Sequence, residues 1–199
     1  KRVLLSNDFL PALQRPNVEL LTDAISRVTP AGVQTADGRL HEADVLIHGT
    51  GFAATEFLTP MAVRGRDGHE LNADWKGGAE AFLGISVPGY PNFFMLYGPN
   101  TNLGHSSIVY MLESQIAHVL RCLRRVRQAG ARAIEVRPEA HRAFNDTVQR
   151  HIRRTVWDGG CRSWYLDESG RNRTLWPGTV GEFERRVRNP EWVDYEFTS

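Results

Sequence analysis

Ile108, Met111, Leu112, Ile116, Val119, Leu120, Leu123 and Val126 recur at three- and four-residue intervals. That period predicts a long amphipathic helix, around which the rest of the chain has to be arranged. Ser106 or Ser107 is available to cap its start, and Gly130 to end it. Immediately before it stand an apolar run, "NFFMLYG" (Asn92–Gly98), and a polar stretch, "GPNTNLGHSS". The apolar run predicts a buried strand and the polar stretch a loop, so the order is strand, glycine-bearing loop, helix N-terminus. A helix start leaves up to four backbone N–H groups without intrahelical partners. Those donors and the positive end of the helix dipole suit an anion or an electron-rich heteroatom. Asn100, Thr101, Asn102 and His105 add short polar groups able to line a ligand pocket. A plain capped connection would use the same residue types, so the residues alone leave both readings open.

Upstream, "NVELL" (Asn17–Leu21) is predicted as a short strand. "ISRV" and "GVQTA" alternate in polarity about the turn Pro30-Ala31-Gly32, and Asp37-Gly38 is a second hairpin signal. "ADVLIHG" (Ala43–Gly49) has three consecutive apolar residues, as expected of a strand covered on both faces. It stops at Gly-Thr-Gly, where the backbone can approach a phosphate or another strand closely. Residues 52–81 carry no sustained period and are read as irregular. Downstream, "RAIEV" (Arg132–Val136) predicts a strand. A second helix follows Pro138, with Phe144, Val148, Ile152 and Val156 four apart. From Asp158 the chain is read as an aromatic-rich coil packed on a larger body. Strands alternating with helices give the class α/β, with too few strands for a complete doubly wound sheet.

The composition excludes several functions. Of 199 residues, 41% are hydrophobic and 24% charged, and the net charge is +1. These values fit a globular chain and give no general attraction to nucleic acid or an acidic membrane. Ten arginines against five carboxylates between Tyr110 and Gly160 are either solvated helix faces or a shallow field that steers an anionic cofactor. Two cysteines, Cys122 and Cys161, and no apolar stretch near the ~20 residues of a membrane span predict a reducing cytoplasm. The histidines, at 41, 48, 69, 105, 118, 141 and 151, include no pair at four-residue spacing, and no metal site is expected. No Gly-x-Ser-x-Gly elbow supports a serine hydrolase. Trp164, Tyr165 and Trp176 either form a lid over a ligand or pin the tail to the core. The chain opens on "KRVLL" rather than on methionine, which reads as entry in mid-domain.

Taken in order, four stretches resemble the C-terminal part of flavin-dependent Baeyer–Villiger monooxygenases, within the wider flavin-containing monooxygenase group. They are "KRVLLSNDFLPALQRPNVEL", "GVQTADGRLHEADVLIHGTGF", "GISVPGYPNFFMLYGPNTNLGHSS" followed by "LESQI", and "RSWYLDESGRN" with "LWPG". The resemblance implies a partial flavoprotein fold of two dinucleotide-binding domains: the returning half of the FAD domain plus a helical C-terminal region. Residues 1–20 would leave the NADPH-binding domain, 21–107 would form the returning FAD segment, 108–157 the C-terminal helices and 158–199 the tail. It implies FAD and NADP(H) as cofactors and the remaining N-terminal part of the same enzyme as partner. The reaction implied is insertion of one oxygen atom from O₂ into a ketone through a C4a-peroxyflavin. N- or S-oxygenation, or a non-catalytic binding or assembly module, are the alternatives.

By the same resemblance Arg2 falls on the active-site arginine, and Lys1 on a lysine near the NADPH 2′-phosphate. Thr50, Gly51 and Phe52 lie where the chain re-enters the FAD domain. Asn100, Thr101, Asn102, Leu103, Gly104, His105 and Ser106 face the pyrimidine edge of the flavin, and Trp164 lies on a tail that contacts nicotinamide and substrate. Two departures stand out. Gly49 replaces the family's alanine, and the flavin loop is shorter than in the cyclic-ketone enzymes.

Overall fold

The computed structural model describes residues 4–160 and 163–199. They form two compact units, which meet in sequence between Phe52 and Ala53.

The first unit holds helix α1 (Phe9–Leu13) and strands β1 (Ile25–Thr29), β2 (Gly32–Thr35) and β3 (Leu40–Glu42). The strands form one antiparallel sheet in sequence order, with Val28 opposite Val33 and Gln34 opposite Leu40. Both hairpins sit where the turn residues put them. Gly32 has φ +143°, and a Cβ there would lie 2.1 Å from the His41 carbonyl oxygen, so only glycine fits. At the second turn the Asp37 carboxylate accepts from the Thr35 hydroxyl at 2.6 Å and from the Arg39 amide at 3.1 Å.

Two strand expectations fail here. Residues 17–21 and 43–49 are irregular, and Val45 and Ile47 are 75% and 91% exposed. Apolar residues make a strand only when a neighbour completes the ladder; the Ala43 amide donates to the Ala31 carbonyl at 3.2 Å, and none among the described residues pairs with 44–49. Gly32 and Thr35 are this unit's buried described residues, so it has almost no core of its own.

The second unit begins irregularly, as expected, and contains the single turn α2 (Leu71–Asp74). Then come helix α3 (Ile108–Gln128), strand β4 (Ala133–Val136), helix α4 (Pro138–Ile152), helix α5 (Val180–Arg188) and strand β5 (Tyr195–Thr198). α4, expected to follow Pro138, includes that proline as its first helical position. It ends at Ile152, so Val156 lies beyond it and is exposed. Residues 92–98 are not a strand. Asn92 and Tyr97 have φ of +60° and +58°, which breaks the extended backbone.

The tail is not coil throughout. The Thr179 hydroxyl accepts from the Glu182 amide at 3.2 Å, and the Glu182 carboxylate accepts from the Thr179 amide at 2.7 Å. This capping box starts α5, and "TVGE" carries its signature. β5 pairs antiparallel with β4, setting Phe197 against Ile134 and Tyr195 against Val136.

α3 is a helix where the period puts it, but its buried face is different. Met111, Ser114, Gln115, His118 and Cys122 are buried, while Ile116, Leu120 and Leu123 are about half exposed. Ser107 holds the N-cap position without a side-chain cap, and Gly130, at φ +63°, follows the C-cap residue Ala129. Burial pushes the Cys122 thiol up to about 12, so it stays protonated and inert.

Polar residues can be buried on α3 because each finds a partner. His118 is fully buried, with Nδ1 2.7 Å from the Val187 carbonyl and Nε2 2.7 Å from the Tyr195 hydroxyl. A carbonyl only accepts, so Nδ1–H donates, and in the neutral ring Nε2 accepts from Tyr195. One imidazole thus joins α3, α5 and β5. Burial holds its pKa below the ordinary value, opposed by the Val187 bond and helped by Arg121. The unfolded chain therefore binds a proton near pH 6.5 that the folded chain refuses. Stability should be full above that pH and fall as the pH drops through it, by at most about 1.4 kcal/mol per unit for one histidine. His141, also depressed by burial, adds a loss of the same sign. Urea denaturation between pH 7.5 and 5 checks this, and His118→Asn should lose part of the acid sensitivity.

Candidate functional site

The stretch after Met95 turns sharply and is held at both ends. Gln115 on α3, fully buried, accepts from the Tyr97 amide at 3.0 Å and donates to the carbonyls of Leu83 and Gly84 at 3.2 and 3.3 Å. A bulky residue at φ +58° is strained, and such strain persists only where the surroundings impose it. Three residues on, Asn100 takes φ +57°, which asparagine tolerates better than most. Its amide donates to the Arg173 carbonyl at 2.8 Å, and its Nδ2 donates to the carbonyls of Asn172 and Leu175, each at 2.9 Å. The Asn102 amide donates to the Thr174 carbonyl and accepts, through its own carbonyl, from the Trp176 amide, both at 2.9 Å. The Asn100–Asn102 backbone thus runs beside 172–176 as a short parallel bridge.

The 172–176 segment is itself anchored by a buried cation. Arg173 is 3% exposed and pairs with Glu80, with Asp167 at 2.8 Å and with the Gly77 carbonyl at 3.1 Å. Burial alone would raise the Asp167 carboxyl. Hydrogen bonds from Arg173, Ser169 and the Arg171 amide outweigh it and hold the group below its usual range. Gly78 (φ +106°) leaves room for this cluster, since a Cβ there would lie 2.6 Å from the Asp167 carboxylate.

Residues 166–172 form a turn closed by the Leu166–Asn172 bridge, and Trp164 lies just ahead of it, in the turn where the Leu166 amide donates to the Ser163 carbonyl at 3.0 Å. The Trp164 ring meets Tyr165 at 4.0 Å, Tyr165 meets Trp157 at 5.4 Å, and a Cβ on Gly104 would lie 2.6 Å from the Trp157 ring. A chain of rings therefore runs from the loop to Trp164. Between them is a cavity of about 290 Å³ walled by Ala53, Ala54, Glu56, Phe57, Tyr97, Gly98, Asn102, Trp164 and Thr174. It is mostly apolar with a few polar groups, the usual make-up of a small-molecule site.

Lys1 and Arg2 lie outside the described residues, as does Cys161. Thr50, Gly51 and Phe52 end the first unit, and Phe52 is 94% exposed there. In the second unit Asn102 and Trp164 meet at the cavity wall. Asn100, Thr101 and Leu103 are buried behind it, with the Thr101 hydroxyl donating to the Gly98 carbonyl at 2.7 Å. Gly104 is half-buried, and His105 and Ser106 are exposed at the start of α3, where no side chain caps the helix. Of the three tail aromatics, Trp176 and Tyr165 are buried and only Trp164 keeps an exposed face, at 52%. The pinning reading therefore holds for Trp176, whose Nε1 donates to the Thr179 carbonyl at 3.0 Å.

The sequence gives no signal for Phe57, Tyr97 or Thr174 at this wall: Phe57 sits in a stretch without period, and Tyr97, just before Gly98, ends the apolar run that predicts a strand. A second cavity, of about 320 Å³, opens between α4 and residues 186–194 and holds none of the expected residues. Among the described residues no group of three or more His, Cys, Asp or Glu could hold a metal ion, and no helix is long and apolar enough to cross a membrane.

No protein-family model matches the chain. Over 198 residues, 98% of its length, it is 46% identical to a Streptomyces coelicolor protein named Baeyer-Villiger monooxygenase, of which it spans 38%. Its fold matches that of a cyclohexanone monooxygenase from Rhodococcus sp. Phi1 bound to NADP+, with a TM-score of 0.85 at 30% identity. That match takes in the whole of this chain and 39% of the other. A structure described as an OTEMO complex with FAD and NADP matches with a TM-score of 0.84 at 27% identity, over the whole chain and 38% of that one. The chain thus spans well under half the length of the relatives it matches.

Proposed function

We propose that the chain is the C-terminal segment of a Baeyer–Villiger monooxygenase, an FAD- and NADPH-dependent enzyme that inserts one atom of O₂ beside a ketone carbonyl. The observation that carries this reading is relatedness along the whole chain, at 46% identity over 98% of its length, to a protein of that name. The whole-length structural match to a cyclohexanone monooxygenase bound to NADP+ supports it. The exposed apolar residues supply a second, physical argument. Val45, Ile47 and Phe52 in one unit, and Ile116, Leu120 and Leu123 in the other, leave water only if another surface covers them. The remaining 62% of the Streptomyces relative's length is the natural cover, so the partner is the N-terminal part of the same enzyme. A reducing cytoplasm suits a chain with two cysteines, of which the described one is buried and protonated.

The residues in hand fit a flavin. α3 begins without a side-chain cap, and its first amides and positive dipole end suit an electron-rich ring edge. Asn102, Gly104, His105 and Ser106 would line that edge, with Asn100 and Thr101 fixing the backbone behind them. Gly104 keeps the loop close to Trp157, where any side chain would strike the ring. Thr50, Gly51 and Phe52 would meet the cofactor where the chain re-enters its domain, and Lys1 would approach the 2′-phosphate of NADPH. When bound, the flavin supplies the activation of O₂ by electrons from NADPH. Arg2 would hold a fixed positive charge against the oxygen that becomes negative during transfer. Trp164, Tyr97 and Phe57 would exclude water from an apolar ketone.

The complete polypeptide, given NADPH, O₂ and either cyclohexanone or a thioether, tests this. Ester from the ketone supports the reading, and sulfoxide alone would contradict the Baeyer–Villiger assignment.

A further inference from the structure

Asn172 lies in the "GRN" stretch, and nothing above gives its side chain a role in the reaction. It is 2% exposed and makes two sets of bonds. Its backbone carbonyl accepts from Asn100 Nδ2 and from Gln149 Nε2 of α4, each at 2.9 Å. Its side-chain Oδ1 accepts from the amides of Thr174 and Leu175 at 3.1 and 3.0 Å, and from the Thr174 hydroxyl at 3.3 Å. Thr174 and Leu175 are buried, so those amides have no water to turn to. The turn they make brings the Leu175 carbonyl to the second hydrogen of Asn100 Nδ2. Asn172 also pairs with Leu166 in an isolated antiparallel bridge, and Leu166 ends the short turn that carries Trp164.

One residue therefore ties two walls of the 290 Å³ cavity together. Through Thr174 and Leu175 it holds the strip that binds Asn100 and Asn102, and through the bridge to Leu166 it meets the end of the turn that carries Trp164. We propose that Asn172 is a positioning residue that fixes the Trp164 wall against the Asn102 wall, and so sets how tightly the cavity grips the ketone. The ketone part of this rests on the monooxygenase reading; the tie itself does not.

The chemistry of the amide supplies the control. Asn172 Nδ2 makes no hydrogen bond among the described residues, so Asn172→Asp keeps every bond the side chain makes. Asn172→Ala loses them all. Both variants, with Gln149→Met as a milder cut in the same tie, are compared in the complete polypeptide. Hydrogen exchange of peptides covering 98–103 and 163–176 is read beside a peptide from the middle of α3. Asn172→Ala should exchange at least about tenfold faster in the first two peptides, since one lost buried hydrogen bond accounts for about that much and three are lost, with the α3 peptide unchanged. Gln149→Met should shift the same peptides less, and Asn172→Asp, which keeps the three accepted bonds but buries a carboxylate, should fall between Asn172→Ala and the parent. KM for cyclohexanone should rise at least about fivefold in Asn172→Ala, with flavin reduction by NADPH at the parent rate and partial recovery in Asn172→Asp.

Unchanged exchange in both Asn172→Ala and Gln149→Met would overturn the tie. Faster exchange with an unchanged KM would overturn the positioning role. Should Asn172→Ala not fold, Gln149→Met against the parent decides by the same readings. A parent that binds no flavin and forms no ester would instead sink the monooxygenase reading, while exchange would still report on the tie.

Discussion

Arg173→Met is expected to cost about 3–5 kcal/mol of stability, the usual result of removing one partner from a buried ion cluster. The guanidinium is 3% exposed and meets Glu80, Asp167 and the Gly77 carbonyl. Methionine fills much of the same volume but leaves Asp167 uncompensated, with its side chain only 9% exposed. Arg173→Lys keeps the charge yet cannot reach three acceptors from one fork, so an intermediate loss is expected. Urea denaturation of the three proteins measures the effect. A midpoint for Arg173→Met equal to the parent's would show that the cluster does not hold residues 172–176 in place. The loop should loosen together with the cluster, because the Arg173 carbonyl accepts from the Asn100 amide at 2.8 Å.

Arg2→Ala in the complete polypeptide is expected to lower ester formation about 10²–10³-fold, the usual cost of removing a group aimed at developing negative charge on oxygen. Reduction of the flavin by NADPH should stay near the parent rate, because that step needs no cation at the oxygen. NADPH would then be consumed without matching ester. Arg2→Lys keeps a point charge but loses the planar fork, and partial recovery is expected. Ester formation unchanged in Arg2→Ala would remove the role proposed for this residue. Loss of reduction and ester together would place Arg2 at the nicotinamide instead.

What could be read from the sequence was local. α3 and α4 follow from period, both hairpins of the first sheet from Gly32 and Asp37-Gly38, and the start of α5 was available in the Thr179–Glu182 pair. What escaped was set by distant partners. "ADVLIHG" has the apolarity of a buried strand, but apolarity does not say whether a ladder neighbour lies in the same stretch of chain. The period of α3 places the helix, although Ile116, Leu120 and Leu123 of its apolar series are about half exposed. Its core side carries Ser114, Gln115 and His118, and Gln115 and His118 are satisfied from residues such as Gly84, Val187 and Tyr195. The candidate site shows the same division. "GPNTNLGHSS" announces a polar loop before a helix, yet which of its residues are buried depends on Asn172, 72 positions from Asn100. Composition cannot tell that Asn100 and Thr101 support the wall while Asn102 lines it.

Cyclohexanone turned over by the complete polypeptide with NADPH under ¹⁸O₂, followed by mass spectrometry of the product, is the sharpest test of the proposed ketone oxygenation. A lactone carrying one ¹⁸O, formed only when NADPH is supplied, is expected. A lactone whose new oxygen comes from water, or a flavin-loaded protein that oxygenates thioethers and leaves the ketone untouched, would contradict it.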